Sequence, residues 1–203
     1  TINKLIVGPW YHGGWHRAEG HHLGPVRFEA PTSEFFQKEV ELPFFERHLN
    51  NKKNAKDPAD VIVFFTGENR WQTFAKGPPS ESKITPLYLL SGEKADFNKP
   101  TQGKTQTTYV SDPENPVPFS SDIPLSRDRE YMIEDQRFAA RRPDVLEFST
   151  GDLSADLTLS GPVEAQLQVS ISGSDADFVV KIIDVFPEHE GGLSACPVRR
   201  GSP

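Results

Sequence analysis

The sequence predicts a mostly β chain: a jelly-roll β-sandwich preceded by a short α/β segment. Three observations carry that expectation. The apolar period is helical upstream of about residue 58 and alternating downstream of it. The downstream strand-like segments are separated by clusters of Gly, Pro, Asn and Asp, with no helical run between them, which implies an antiparallel sandwich. The length of 203 residues, 35% of them apolar, suffices for one good domain, or for one domain and a piece of another.

The first element is "LIV" at residues 5–7, a short apolar run that reads as a buried strand and stops at Gly8-Pro9. Trp10, Tyr11 and His12 follow at once, then Gly13 and Gly14. That order places an imidazole on a loop at the carboxyl end of a sheet, where open α/β folds hold their chemistry. Histidine, with an unperturbed pKa of about 6.5, suits general-base work, so His12 is the candidate catalytic residue. Trp10, Tyr11 and Trp15 are candidate substrate-binding residues that would supply a water-poor wall. Gly13 and Gly14 would allow close backbone approach. The competing interpretation makes His12 a partly buried loop residue that only hydrogen-bonds.

Metal is a second rival, because His12 and His16 stand four apart, with Glu19, His21 and His22 following. An i,i+4 pair makes a zinc face only on a helix, and the two glycines of "HGGWH" disfavour one. No third ligand stands at a recognisable spacing, so no metal is expected.

Residues 32–51, "TSEFFQKEVELPFFERHLNN", carry Phe36, Val40, Phe44, Phe45 and Leu49 at helical spacing. Thr32 or Ser33 is the expected N-cap, with Glu34 favourably placed in the first turn. Pro43 is expected to kink or split this helix. The polar run "NNKKNAKDPAD" (50–60) reads as a linker.

Downstream, "VIVFFTG" (61–67), "ITPLYLL" (84–90), "TQTTYV" (105–110), "DVLEFST" (144–150), "LTLSGPVEAQLQVSIS" (157–172) and "DFVVKIIDVFP" (177–187) are the predicted sandwich strands. Asp175, Asp177, Lys181 and Asp184 alternate with apolar residues, which marks a solvated strand face. A calcium site is the alternative there. Arg137, Arg141 and Arg142 are expected to tie the sandwich to the preceding unit through carboxylates, the alternative being an anion clamp. Trp71 is expected to be a packed anchor rather than a sugar platform. From about residue 190 the chain shows neither period and resembles an unstructured terminus or a cloning remnant. If that leaves the sandwich short of its last strand, the exposed edge invites self-association into a homo-oligomer.

Composition excludes several function classes. The formal net charge is −7 and no basic face is visible, so nucleic acid is not an expected partner. No apolar run reaches the roughly 18 residues of a membrane span, and no signal peptide opens the sequence. A chain that starts at Thr1 can have lost such a peptide, so that point decides little. The single Cys196 rules out an internal disulfide and any Cys-rich zinc site, and leaves the compartment open.

Six stretches, in order, resemble a known family: "GPWYHGGW", "EFFQKEVELPFFERHLNN", "FFTGENRWQTFAKGPP", "TYVSDPENPVPF", "EDQRFAARRPDVLEFST" and "SGSDADFVVKIIDVFP". Together they look like the carboxyl-terminal portion of the α-amino-acid ester hydrolases. These belong with cocaine esterase, glutaryl-7-aminocephalosporanic acid acylase and the X-prolyl dipeptidyl aminopeptidases. The resemblance covers nearly everything from residue 4 to about residue 190. It implies serine hydrolases with an α/β-hydrolase domain, a helical cap and a carboxyl-terminal jelly roll, with no metal or organic cofactor. It further implies a small ester or amide as substrate and a periplasmic or secreted location.

In that family the histidine of "GPW-x-H" is the triad base, which carries over to His12. On this resemblance residues 1–58 are the last strand, histidine loop and terminal helix of an α/β-hydrolase domain, and 59–203 the jelly roll. The triad order Ser, acid, His places the other two members upstream. No G-x-S-x-G elbow occurs here; "GGLSAC" (191–196) lacks the second glycine. The 203 residues alone are therefore expected to be inactive. The alternative is a carbohydrate-binding or purely structural jelly-roll module.

Overall fold

The computed structural model describes residues 2–186 apart from 78, 102, 104, 105, 124 and 127. The tail expected to be unstructured, with "GGLSAC" and Cys196, lies outside the described residues. Strand β1 (Leu5–Val7) leads into the histidine loop and the short helix α1 (Gly14–Arg17). A two-stranded ribbon follows, β2 (His22–Leu23) and β3 (Val26–Arg27). A helical run then continues from Thr32 to His48. Beyond it stand β4 (Val61–Phe65), β5 (Arg70–Phe74), β6 (Tyr88–Leu90) and β7 (Lys94–Asp96). A 3₁₀ turn (Tyr131–Ile133) and α4 (Arg137–Ala140) complete the elements. No helix among the described residues is long and apolar enough to cross a membrane.

The main sheet has the order β1-β4-β5. β1 pairs parallel with β4, Ile6 opposite Ile62, and β4 pairs antiparallel with β5, Phe64 opposite Trp71. β4 lies in the middle, and Val61, Ile62 and Phe64 are buried, which is why its sequence is a continuous apolar run rather than an alternation. β1 is half paired: among the described residues its other edge has no neighbour, and Leu5 and Val7 stay exposed. This sheet joins residues on both sides of the division expected near residue 58.

The helical run is accommodated rather than broken at Pro43. α2 (Thr32–Phe35) passes into a six-residue π-helical stretch (Phe36–Glu41) and then α3 (Leu42–His48), with Pro43 in the first turn of α3. Leu42 donates its N–H five residues back, to the Gln37 carbonyl. A wide turn placed just before the proline suits a residue that lacks an N–H and would crowd the preceding carbonyl in a regular α-helix. Of the predicted stripe, Val40 is buried, Phe36 and Phe44 half-buried, and Phe45 and Leu49 exposed.

The run expected as a linker is tied down. Lys4 Nζ donates to the Pro58 carbonyl at 2.7 Å and Asp60 Oδ1 at 2.8 Å, and pairs with Asp57 at 3.2 Å. Asp57 also meets Arg47 at 3.4 Å and His48 at 3.3 Å, while Arg47 Nη1 donates to the carbonyls of Lys53 and Ala55. The Lys4 hydrogen bond holds the Asp57 carboxyl below its usual range, and Asp60 holds the Lys4 ammonium above its own. A lowered carboxyl pKa contributes stability that is complete above the unfolded value and lost as pH falls through the folded one; the raised lysine loses its share only as pH rises through its folded value. Thermal unfolding from about pH 5 to about pH 3 should therefore show a shallower loss in Asp57→Asn than in the parent chain. Equal slopes would exclude Asp57 from the acid limb.

The described strands lie in small sheets, consistent with a β-rich later part: the main sheet and the two-stranded β2-β3 and β6-β7. Of "ITPLYLL" only 88–90 is a strand, and of "DVLEFST" only Ser149 pairs, in a lone bridge to Lys94. Residues 106–110 and 157–186 carry no strand, and many of their apolar side chains stand exposed, Val179 at 82% and Val185 at 79%. Alternation fixes which face a residue takes once its strand is paired; it does not specify the partner.

Candidate functional site

The histidine loop is built by glycines at its joints. Trp10 folds back over Gly8, where any Cβ would lie 2.3 Å from the indole. The chain then passes Tyr11 and His12 to Gly13, whose φ of +80° turns it into α1. The glycines expected to prevent a helix in "HGGWH" start one instead. Gly13 precedes the first helical residue, where left-handed backbone suits glycine, and its carbonyl accepts from the N–H groups of His16 and Arg17 at 3.2 Å.

His12 stands exposed just past the carboxyl end of β1, with the Trp15 ring edge-on at 6.1 Å. Among the described residues its ring nitrogens meet no hydrogen-bond partner. The other described histidines are engaged: His16 with Glu41 at 3.1 Å, His21 with Glu19 at 3.6 Å, His22 with the Gly24 carbonyl at 3.2 Å and His48 with Asp57 at 3.3 Å. An exposed imidazole with an open nitrogen can accept a proton from a group brought to it, while its second nitrogen stays available to a group that orients the ring.

Of the three expected wall residues, each half-buried, Trp15 is the one whose ring meets His12. Trp10 packs against Trp15 at 6.4 Å, Phe36 at 5.4 Å and Trp71 at 5.7 Å. The Arg129 guanidinium lies over the Tyr11 ring at 5.0 Å, a cation–π contact from the later part of the chain. Ile133 comes from the same segment and packs on the core cluster of Leu23, Phe28 and Phe64.

The start of α2 grips the loop. Thr32 and Ser33, both 0% exposed, do not cap the helix as expected; Pro31 occupies that position. The Thr32 hydroxyl donates to the Gly20 carbonyl at 2.8 Å and accepts from the Trp10 indole N–H at 2.9 Å. The Ser33 hydroxyl donates to the Gly14 carbonyl at 3.3 Å, and Gln37 Nε2 to the Trp15 carbonyl at 2.6 Å. Sequence reasoning missed these roles, and Arg129, because a hydroxyl at a helix start has the same appearance whether it caps the helix or reaches away from it.

Other candidates resolve locally. Trp71 stacks on Phe35 at 4.8 Å and 16°, and meets Phe64 edge-on at 5.2 Å, so it is a packed anchor. Arg142 makes a paired contact with Asp144, at 2.8 and 2.7 Å, and donates to the Asn115 carbonyl. Arg137 pairs with Asp135, two residues away. The expectation put these carboxylates on the preceding unit; Asp135 and Asp144 instead lie two residues from their arginines, and Arg129 reaches the preceding unit at Tyr11. Lys181 donates to Gln136 Oε1 at 2.6 Å. Among the described residues no three His, Cys, Asp or Glu side chains gather as a metal site.

The chain is similar to several known proteins. The family described as the X-Pro dipeptidyl-peptidase C-terminal non-catalytic domain matches residues 52–201. A cocaine esterase of Rhodococcus sp. (strain MB1 Bresler) is 31% identical over 196 residues, which is 91% of this chain and 33% of that protein. The chain thus spans about a third of the length of that relative. An aminopeptidase of a marine sediment Thaumarchaeota archaeon superposes with a TM-score of 0.62 and 33% identity, over 71% of this chain and 24% of the other. An α-amino acid ester hydrolase gives 0.60 and 36%, over 72% and 25%.

Proposed function

Since the chain belongs to the family of X-Pro dipeptidyl-peptidase C-terminal non-catalytic domains, whose match covers residues 52–201, we propose that the residues up to about 58 carry chemistry and those after them do not. Residues 1–58 are the closing strand, histidine loop and helix of a serine hydrolase's catalytic domain, and 59–203 its β-rich companion. The relatives, named as an esterase, an ester hydrolase and an aminopeptidase, support a small ester or amide as the substrate class. Acylase and dipeptidyl-peptidase chemistry fall within the same acyl transfer.

His12 is the general base. It takes the proton of a serine hydroxyl as that oxygen attacks the carbonyl, then gives it to the leaving group as the tetrahedral intermediate collapses. An upstream carboxylate orients the ring, and the resulting acyl-serine is hydrolysed by water that His12 activates in the same way. The serine, the carboxylate and the oxyanion donors belong to polypeptide outside these 203 residues. No metal or organic cofactor takes part. The observation that carries this reading is His12 itself, exposed and with open ring nitrogens at the end of a parallel strand.

The sugar-binding alternative is disfavoured by Trp71, which has one ring face stacked on Phe35. An architectural role for the later segment is compatible with catalysis, since Arg129 and Ile133 press on the histidine loop and the core beneath it. Incubating the 203-residue chain with p-nitrophenyl acetate should give no saturable turnover. Saturable turnover abolished by His12→Ala would reveal a nucleophile within these residues and overturn the assignment.

A further inference from the structure

We propose that Thr32 is the positioning residue for His12, holding the histidine loop in place through the Trp10 indole and the Gly20 carbonyl. The inference rests on the general-base reading of His12 and deepens it.

A base must be held within a fraction of an ångström of its productive position, and a misplacement of about 1 Å costs up to about a hundredfold in rate. The upstream carboxylate proposed above orients the ring, but His12 has no partner of its own among the described residues, so the loop that carries it must itself be held. One stretch of helix does this. Before His12, the Trp10 indole is held by Thr32. After it, the carbonyls of Gly14, Trp15 and Gly20 are held by Ser33, Gln37 and Thr32. The backbone N–H of Ser33 also donates to the Glu19 carbonyl, at 3.2 Å.

Thr32 differs from the other three grips in serving both ends of the loop with one atom. Its Oγ1 accepts from the indole and donates to the carbonyl, so its proton and an acceptor site are both in use. Water cannot substitute at a residue that is 0% exposed. Trp10 in turn carries Trp15, whose ring is edge-on to His12. Ser33 invites assignment as a nucleophile, but it is sealed from solvent and its proton is committed to Gly14.

The test uses the intact hydrolase with Thr32→Val, which keeps the β-branched shape, and Thr32→Ser, which keeps the hydroxyl. Thr32→Val should lower kcat about 10- to 100-fold with KM changed by less than about threefold, and Thr32→Ser should restore kcat to within about threefold of the parent. Selective ¹⁵N labelling should show the Trp10 indole and His12 imidazole signals displaced in Thr32→Val and returned in Thr32→Ser. Trp10→Phe should reproduce the kcat loss, and the double variant should lose no more than the larger single one. An unchanged kcat in Thr32→Val, equal losses in Val and Ser, or losses that multiply in the double variant would each overturn the proposal. Should Thr32→Val fail to fold, Thr32→Ser and Trp10→Phe decide it, an unchanged kcat in Trp10→Phe counting against. His12→Ala separates the two readings: an unchanged kcat there sinks the base assignment, whereas loss there with an intact Thr32→Val sinks only this one.

Discussion

In the intact hydrolase that these residues are proposed to complete, His12→Ala should lower kcat by about four to six powers of ten while KM stays nearly constant. The size follows from what the imidazole does. Without it the serine hydroxyl must lose its proton to water, and the leaving group must depart unprotonated, so both halves of the acyl transfer slow together. KM is spared because His12 is exposed and, among the described residues, has no hydrogen-bond partner and meets the Trp15 ring edge-on. A loss of less than about tenfold would mean that another group supplies the base, and that the strand-to-histidine geometry has a different use.

Gly20→Ala should destabilise the chain by about 3 to 5 kcal/mol in chemical denaturation. Two effects combine there. The φ of +81° is left-handed, which costs a residue with a Cβ about 1–2 kcal/mol. The added carbon would also sit 2.4 Å from Thr32 Oγ1, 2.6 Å from Ser33 Oγ and 2.7 Å from the Ser33 backbone nitrogen, and a backbone atom at a helix start cannot move aside cheaply. Gly92 provides the control: its φ is +72°, and a Cβ there meets nothing within 4 Å. Gly92→Ala should therefore lose only the backbone share. Equal losses at the two sites would show that the loop and helix do not meet as closely as described.

Local periodicity made part of this molecule legible. The helix over 32–48 follows from apolar residues three and four apart, and β4 from an unbroken apolar run, because both patterns act within one element. The imidazole at 12 was legible as a loop residue after a strand. Its open nitrogens were not, since they depend on what fails to lie nearby in space. Strand pairing in the later part was not legible: 157–172 and 177–186 alternate well, but pairing joins distant segments, and alternation names no partner. Thr32 and Ser33 carried a true signal misassigned, as hydroxyls at a helix start whose acceptors lie 12 and 19 residues earlier.

The flank of β1 left unpaired among the described residues has a directional meaning. Parallel neighbours finish at the same end of a sheet, so any strand that aligns with β1 as β4 does would unload its own trailing loop alongside Trp10, Tyr11 and His12. Strand polarity alone would then gather reactive groups from remote parts of a polypeptide into one neighbourhood, with no requirement that they be close in sequence.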